Sequence, residues 1–310
     1  MVSGWVILDK PSGMTSRAAG GKIARMFGIK KFGHLGTLDP MASGVLPVAL
    51  GEATKMIPYL EGTRNKNGEQ EIGEKEYLFS VRWGIRTDTD DITGRVLEQN
   101  DSIPSDALIR TTCAKLVGEI EQTPPAYSAV HVNGRRAYEL ARRGESVEMP
   151  ARTIKIYELR ITNHELSRAE FIVRCSAGTY VRSLAQQIVE QINLKSQISN
   201  FKFVCTVDMI RRTRTHMFDI KDAHSLDFLE NLYNNDPRAV QKYLRPVDFG
   251  LDDIPVLELN ENDANGFKNG GFIELAIDES GLRRVYSKDK FIGIGEIESG
   301  ILKPKRVIKT

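Results

Sequence analysis

The chain has 310 residues, of which 41% are hydrophobic and 27% charged, and its formal net charge is +2. This composition is typical of a globular protein and excludes a disordered or fibrous chain. No apolar run approaches the length that spans a bilayer, and the N-terminus has neither the basic start nor the long apolar core of a signal peptide, so we expect a cytoplasmic protein without a membrane partner.

The first elements alternate quickly between strand and helix. The segment GWVILDKPSGMTS predicts a short apolar strand broken by Pro11, and then a helix capped by Thr15 or Ser16. The stretch GHLGTLDPMASGVLPVALG follows as a loop that ends in an apolar strand, and EATKMIPYLE predicts a short helix interrupted near Pro58. Residues 61–75 are polar and lack an apolar period, which predicts an exposed, mobile loop.

The middle of the chain is rich in strands. YLFSVRWG and AEFIVRC have strand composition, and DTDDITGRVLEQ predicts a polar turn that leads into another strand. YVRSLAQQIVEQI predicts a helix, because Leu184, Ile188, Val189 and Ile192 recur at helical spacing. Residues 123–152 open with two prolines and place five arginines among tyrosines, which predicts an inserted basic arm.

The last part of the chain predicts a small separate domain. From Pro255 onward, short apolar segments alternate with glycine-containing turns, a pattern typical of a small β-barrel of roughly 55 residues. The segment RPVDFGLDDIP interrupts the periodicity, so we expect one domain over residues 1–250 and another over residues 251–310. Strands mixed irregularly with helices favour an α+β fold over a doubly wound sheet.

The charge is unevenly distributed along the chain. Residues 1–55 have a net charge of +4 and residues 281–310 of +5, whereas residues 221–265 have a net charge of −6. Each segment alone is compatible with a solvated face. Several basic segments offset by an acidic one fit a face that binds RNA or DNA better.

The sequence offers little support for metal, disulfide or nucleotide-fold chemistry. Cys113, Cys175 and Cys205 lie far apart, and the five histidines have no metal-ligand spacing, so we expect no disulfide framework and no metal site. SRAAGGKI fails the phosphate-binding loop pattern, no Rossmann fingerprint opens a βαβ unit, and no G-x-S-x-G elbow is present. The aspartate of the GTLDP stretch remains as the unusual feature.

Two interpretations of that aspartate, Asp39, are open: a helix cap and a functional site. An aspartate followed by proline is a common helix start, so Asp39 can be the cap of a short helix. Arg182, in the first turn of the helix after CSAGTY, favours a functional site instead. An arginine there opposes the positive end of the helix dipole unless an anion, a carboxylate or a substrate phosphate, compensates it. A surface arginine without a role is the alternative for Arg182.

Four motifs carry a family resemblance. LDKPSGMTS, GHLGTLDPMASGVLP, KEYLFSVRWGIRTDTDDITG and CSAGTYVRSLA resemble, in order and spacing, those of the TruB family of tRNA pseudouridine synthases. FKNGGFIEL and FIGIGEI look like the family's C-terminal PUA RNA-binding domain. The resemblance covers nearly the whole chain. It implies the pseudouridine synthase fold: a mixed, mainly antiparallel sheet with flanking helices, an inserted thumb arm and the PUA-like domain.

The resemblance assigns three catalytic residues. Asp39 matches the family's nucleophilic aspartate, Tyr77 the tyrosine that stacks on the target base, and Arg182 the arginine that pairs with the aspartate. Tyr77 is also a candidate for removing the proton that is lost from C5 of the uracil. Without the resemblance, the alternative interpretation of Tyr77 is a core tyrosine on a strand. Pairing with Arg182 would favour the ionised form of Asp39.

Further residues are assigned to RNA binding. The resemblance implies that Tyr180 and Ile210 line the uridine pocket and that His34 occupies the space vacated when bases flip out of the RNA stack. Flipping costs a few kcal/mol, which inserted side chains and stacking must offset. The basic side chains expected to contact RNA are those of Lys10, Arg135, Arg136, Arg142, Arg143 and Arg152. The sequence departs from the family pattern at Arg17, which receives no role.

The implied reaction isomerises the T-loop uridine at position 55 of tRNA to pseudouridine, and the protein could also assist tRNA folding. Because the glycosidic bond is broken and re-formed as a carbon–carbon bond, no redox cofactor or metal is needed. The carbon first attacked by Asp39, or a route through a glycal, is left open. The implied partner is the tRNA T-arm, without guide RNA, and the implied state is a monomer. The alternatives are a guide-RNA-dependent subunit and an RNA-folding protein without catalysis; the arm favours the stand-alone enzyme.

Overall fold

The computed structural model describes residues 2–61, 73–128, 130–132, 134–145, 149–195, 202–276 and 279–309. The loop predicted over residues 61–75 falls outside these ranges except at its two ends. None of the described helices has the length and apolar character needed to cross a bilayer.

The described residues form the following α-helices in chain order: α1 Ser16–Met26, α2 Ile57–Glu61, α3 Asp106–Lys115, α4 Ala137–Arg142, α5 Val181–Lys195, α6 Leu226–Asn235 and α7 Glu261–Lys268. The strands are β1 Gly4–Lys10, β2 Phe32–His34, β3 Ser43–Leu50, β4 Lys75–Trp83, β5 Ile85–Thr87, β6 Val96–Gln99, β7 Gly118–Gln122, β8 His131–Val132, β9 Arg135–Arg136, β10 Arg152–Glu165, β11 Arg168–Cys175, β12 Cys205–Thr215, β13 Phe218–Asp219, β14 His224–Ser225, β15 Val256–Glu258, β16 Ile273–Glu274, β17 Gly281–Ser287, β18 Lys290–Glu298 and β19 Ile301–Val307. Short 3₁₀ helices cover Gly51–Lys55, Ile220–Asp222 and Ala239–Tyr243.

The local predictions near the N-terminus are confirmed. The apolar segment forms β1, and Thr15 caps α1 by accepting a hydrogen bond on Oγ1 from the backbone N–H of Ala18 at 3.1 Å. A side-chain acceptor at this position satisfies a helix N–H that has no partner inside the helix. The predicted short helix divides into a 3₁₀ turn and α2, with Pro58 in the first turn of α2, where its missing N–H costs nothing.

The chain folds into two compact units, and the first combines Met1–Asp39, Val45–Ile72 and His216–Thr310. Its N-terminal part places β1 beside β3, with β14 parallel to β1 and β2 antiparallel to β3. Trp5 is fully buried, and its indole Nε1 donates a hydrogen bond to the carbonyl of Val247 at 2.9 Å. This donor is therefore satisfied inside an apolar core.

The C-terminal strands of unit 1 form a five-stranded sheet in the order β15-β17-β18-β19-β16. One core lies within this sheet and α7, around Phe267 and Val285. A second core joins Ile294 of the sheet and Ile308, which directly follows β19, to Trp5 and Val45 of the N-terminal part. The β-structure predicted here is confirmed, whereas its closure into a barrel and the boundary near residue 250 stay predictions.

Unit 2 combines Pro40–Gly44 with Gly73–Thr215. Its sheet has the order β12-β4-β11-β10-β7, and all of these neighbours are antiparallel. Ser43 and Gly44, at the start of β3, pair in parallel with Arg211 and Arg212 of β12. The prediction of a mixed, mainly antiparallel sheet with helices is confirmed.

The region predicted as an inserted arm lies between β7 and β10 of unit 2. Its described part consists of the two-stranded hairpin β8–β9 and the short helix α4. The elements that the sequence patterns did not indicate include α3, α6, α7, the 14-residue strand β10 and the 11-residue strand β12. Short helices and strands with two register shifts each give weak periodicity, which explains these omissions.

Gly44 provides a test of the pairing between β3 and β12. Its φ is +104°, and an added Cβ would lie 2.1 Å from the carbonyl oxygen of Arg212. We expect Gly44→Ala to lower the free energy of unfolding by more than about 2 kcal/mol, measured by urea denaturation, because strain and collision add. Gly28→Ala is the control: φ is +65° there, but no atom lies within 4 Å of the added Cβ. We expect a loss of about 1 kcal/mol from that variant, and equal losses in the two variants would contradict the expectation.

Candidate active site

The loop that carries Asp39 begins at the end of β2 in unit 1. His34 pairs with Val48 across β2 and β3, and the N–H of Leu35 donates to the carbonyl of Pro47 at 3.0 Å. The His34 side chain is half-buried. These backbone pairs fix the chain at the start of the GTLDP loop.

Ser16, the first residue of α1, fastens the same loop next to Asp39. Its Oγ accepts from the N–H of Leu38 at 2.8 Å and donates to the carbonyl of Leu38 at 3.0 Å. Ser16 is 2% exposed and Leu38 is 4% exposed, so water does not replace these bonds. One hydroxyl therefore holds both backbone groups of the residue before Asp39.

Asp39 itself is half-buried, and no helix starts after it: Pro40 and Met41 form a turn, and β3 begins at Ser43. The helix-cap alternative for Asp39 is therefore wrong, since a cap requires N–H groups of a following helical turn. The chain passes from unit 1 into unit 2 directly after Asp39.

The structure does not agree with the predicted contact between Lys10 and RNA. It is fully buried, and its Nζ donates to the carbonyls of Pro11 at 2.8 Å and Met14 at 2.6 Å. A buried ammonium needs such acceptors. Lys10 therefore holds the PSGM loop that precedes α1, and it does not present its charge to solvent as an RNA contact would require.

In unit 2, the strand pair β4–β12 brings two predicted pocket residues onto one face. Tyr77 lies opposite Arg212, and Phe79 lies opposite Ile210. Because alternate residues share a face, Tyr77, Phe79, Ile210 and Arg212 point to the same side of the sheet. Tyr77 is 7% exposed and Ile210 is 5% exposed. Tyr77 is thus both a buried strand tyrosine, as one alternative predicted, and a neighbour of Ile210.

Arg212 is a residue that sequence reasoning missed. Its side chain is fully buried and hydrogen-bonds to the Tyr77 hydroxyl. Burial lowers the pKa of Arg212 from its ordinary value, and the Tyr77 hydroxyl opposes that shift. The alternation of MIRRTR provides a signal, since Arg212 stands two positions after Ile210.

Arg182 occupies the second position of α5 and is 3% exposed, so the alternative of a surface arginine is wrong. Its guanidinium donates to the carbonyl of Thr89 at 3.0 Å and to that of Tyr127 at 2.8 Å. The carboxylate of Asp91 lies 3.7 Å from Nη1. Asp91, which the sequence reasoning did not single out, supplies an anion that the arginine requires at this end of a helix. The pairing of Arg182 with Asp39 stays a prediction.

Asp90 stands beside this cluster with a perturbed carboxyl group. Burial raises its pKa from the ordinary value of 3.8 to about 6, while the positive charges of Arg182 and Arg86 oppose the rise. Its φ of 60° is a left-handed conformation that Asp and Asn tolerate better than most residues.

Tyr180 directly precedes α5, and its side chain is half-buried. The guanidinium carbon of Arg152 lies 4.9 Å from the centroid of its ring. Arg135, Arg136 and Arg143 of the arm are exposed, as RNA contact requires. The side chain of Arg142 falls outside the part of the chain that the structure describes, and RNA contact by the arm stays a prediction.

The comparisons with known proteins agree with this fold and these motifs. The model of the TruB family pseudouridylate synthase N-terminal domain matches residues 24–181, and the model of the pseudouridine synthase II TruB C-terminal region matches residues 255–308. A pseudouridine synthase fold is thereby defined. The chain belongs to the TruB family of pseudouridylate synthases.

Curated relatives match over most of their length. A tRNA pseudouridine synthase B from Brucella anthropi is 38% identical over 331 residues, which cover 100% of this chain and 96% of the relative. A protein of the same name from Mesorhizobium japonicum is 37% identical over 333 residues, covering 99% and 96%. Another, from Ehrlichia chaffeensis, is 34% identical over 312 residues, covering 98% of each chain.

Solved structures show the same fold. A chain in the crystal structure of a Cbf5-Nop10-Gar1 complex is similar with a TM-score of 0.67 and 23% identity, over 98% of this chain and 84% of that one. A chain in an H/ACA RNP bound to a substrate RNA containing 2'-deoxyuridine has a TM-score of 0.66 and 22% identity, over 99% and 85%.

Ser16 gives a test of the loop that holds Asp39. We expect Ser16→Ala to lower the rate of pseudouridine formation by about tenfold or more, because it would displace Asp39, which the resemblance assigns as the nucleophile, and a small displacement of a reacting group costs rate steeply. The assay is single-turnover conversion of uridine in RNA. Thr15→Ala is the matched control: it removes the cap bond of α1 and about 1 kcal/mol of stability but leaves the bonds to Leu38. Equal rate losses would assign the effect to α1 as a whole.

Asp90 predicts a pH dependence of stability. Because its folded pKa, about 6, lies above the ordinary value of 3.8, the folded state keeps the proton longer than the unfolded state. The stabilisation is complete below about pH 4 and is lost as the pH rises through about 6. As the pH is raised from 4 to 7, we expect the free energy of unfolding to fall less for Asp90→Asn than for the parent protein, measured by urea denaturation. Parallel pH profiles would contradict the shift.

Proposed function

We propose that this chain is a stand-alone tRNA pseudouridine synthase that isomerises the T-loop uridine at position 55. The observation that carries the proposal is the full-length match to relatives named tRNA pseudouridine synthase B, at 34–38% identity over 98–100% of this chain. The buried cluster around Arg182 and the loop held by Ser16 support it, because both lie in the motifs that the family shares.

The proposed reaction requires no external reactant. The bond between C1′ of the ribose and N1 of uracil breaks, a bond between C1′ and C5 forms, the proton on C5 leaves, and N1 gains a proton. The product has the same atoms as the substrate. One carboxylate on a fixed loop serves as nucleophile, and the transient bond that it forms to the substrate is broken again before the product leaves, so the carboxylate is regenerated.

We assign Asp39 as that nucleophile, with Arg182 as its cationic partner and Tyr77 as the stacking residue. Tyr180 and Ile210 line the pocket for the flipped uridine, and His34 fills the gap in the RNA stack. A buried, hydrogen-bonded guanidinium is rigid, which suits a group that must hold a carboxylate in one orientation.

RNA affinity is assigned to surface charge. The inserted arm acts as a thumb that binds phosphates of the T-arm. Its arginines are the exposed Arg135, Arg136 and Arg143, together with Arg142. These contacts do not depend on the base sequence of the RNA. Residues 251–310 act as the PUA-like RNA-binding domain. The enzyme acts as a monomer and recognises the folded shape of the T-arm.

A guide-RNA-dependent subunit is the second candidate, supported by the similarity to chains in the Cbf5 and H/ACA structures. That similarity is at 22–23% identity and concerns the fold, whereas the full-length relatives carry the name of a tRNA enzyme. Purified protein with an unmodified tRNA transcript and no other RNA separates the two candidates. Product at position 55 supports the stand-alone enzyme, and product only with added guide RNA supports the alternative.

The catalytic assignment is tested by Asp39→Asn. We expect no pseudouridine at position 55, mapped by chemical probing, with tRNA binding close to that of the parent protein, because the amide keeps the shape and loses the nucleophile. A transcript with cytidine at position 55 is the substrate control. Retained turnover would remove Asp39 from the chemistry, and lost binding would make it structural. Loss of turnover alone also separates the enzyme from an RNA-folding protein.

A further inference from the structure

Both ends of the arm meet at Tyr180 in unit 2. Gln122, the last residue of β7, immediately precedes the arm, and Arg152, the first residue of β10, ends it. Each of them contacts Tyr180 or the turn before it, so the segment expected to grip RNA is anchored at a residue expected to line the pocket.

Gln122 holds the backbone of Tyr180 from both sides. Its Oε1 accepts from the N–H of Tyr180 at 2.7 Å, and its Nε2 donates to the carbonyl of Tyr180 at 3.3 Å and to Oε1 of Gln187 at 3.1 Å. Gln122 is 1% exposed. The Gln122 amide supplies both a donor and an acceptor, whereas a carboxylate in its place could only accept and an aliphatic chain could do neither.

Further bonds extend this anchor along the first part of the arm. Oγ of Ser183 donates to the carbonyl of Thr123 at 2.8 Å, and Nη2 of Arg182 donates to the carbonyl of Tyr127 at 2.8 Å. Nε2 of Gln187 donates to the carbonyl of Glu121 at 2.7 Å. Three side chains of α5 therefore bind the backbone at the root of the arm.

Arg152 contacts the aromatic ring of Tyr180 and the turn that precedes it. The guanidinium carbon lies 4.9 Å from the ring centroid, a cation–π distance, and Nη2 donates to the carbonyl of Gly178. Gly178 has a φ of +88°, and an added Cβ would lie 3.4 Å from that carbon. Its carbonyl is therefore directed at Arg152 by a backbone conformation that favours glycine. Arg152 is half-buried, unlike the exposed Arg135 and Arg143.

We propose that Gln122 and Arg152 are positioning residues for Tyr180, Gln122 through its backbone and Arg152 through its ring, so that the ends of the RNA-gripping arm also shape the uridine pocket. The pocket role of Tyr180 rests on the proposed function. In this proposal, Arg152 contacts Tyr180 and Gly178 within the protein and does not contact an RNA phosphate. Because Gln122 and Arg152 lie at the two ends of the arm, the position of the arm determines how Tyr180 is held.

Gln122→Leu and Gln122→Glu test the backbone half of the proposal. Leucine removes both bonds to Tyr180 as well as the bond to Gln187, whereas glutamate keeps the acceptor for the Tyr180 N–H and loses the donor. We expect both variants to lower the single-turnover rate on tRNA about tenfold, with Kd for tRNA within about twofold of the parent value, because the pocket and not the grip is disturbed. Unchanged rates with both folded variants would overturn the assignment.

Arg152 is tested against a phosphate contact by Arg152→Met and Arg152→Lys, with the exposed arm arginine in Arg143→Ala for comparison. A positioning role predicts that both Arg152 variants lose rate at saturating tRNA and keep the salt dependence of Kd. Arg143→Ala should instead weaken binding and reduce the slope of log K against log salt by about 1. Arg152→Met should have no further effect in a Tyr180→Leu background. A weakened Kd for Arg152→Met that lysine restores, with normal rate, would overturn the proposal.

A readout that does not require turnover separates this proposal from the proposed function. Hydrogen exchange at the Tyr180 amide should be faster in Gln122→Leu, because its acceptor is removed, while exchange in the core strand β4 is unchanged. Unchanged exchange at Tyr180 would overturn the positioning role. A parent protein that makes no pseudouridine would overturn the function, and exchange would still decide the positioning role.

Discussion

A guanidinium group taken out of water must find hydrogen-bond acceptors in the protein, and Arg182 imposes that requirement on unit 2. Losing one acceptor around a buried charge costs several kcal/mol, more than the intact pair adds to stability. Acceptors for Arg182 are the carbonyl of Thr89 and the carboxylate of Asp91 in one turn, and the carbonyl of Tyr127 in the first part of the arm. Two hydrogen bonds fix this turn and orient Asp91. Oγ1 of Thr87 donates to the carbonyl of Asp91 at 2.8 Å, and Oγ1 of Thr93 donates to the Asp91 carboxylate at 2.5 Å.

The sheet of unit 2 adds a second constraint, the alternation of side chains along paired strands. Register places Tyr77 opposite Arg212 and Ile210 two positions away on the same face. A shift of β12 by one residue along β4 would send Ile210 and Arg212 to the face opposite Tyr77. The position of the candidate pocket therefore depends on strand register as much as on the residues themselves.

Local signals in the sequence predicted local structure well. A threonine before an apolar helical pattern predicted the cap of α1, apolar segments predicted β1, β3 and β11, and helical spacing predicted α5. Lys10 shows where such reasoning fails. A basic residue in a basic segment predicts an RNA contact, but its burial and its bonds to the PSGM loop depend on how the chain folds around it. Ser16 was identified only as a possible cap, and its bonds to Leu38 were not visible in any pattern.

The sequence by itself determined the family, through four motifs in order, and the residues proposed for the chemistry, since Asp39, Tyr77 and Arg182 lie within those motifs. Tertiary structure alone decided what surrounds them. Arg182 meets Thr89 and Tyr127 across separations of 93 and 55 residues, Gln122 meets Tyr180 across 58, and Ser16 meets Leu38 across 22. Periodicity and capping report interactions within a few residues, so partners that far apart become known only when strand register and helix packing bring them together.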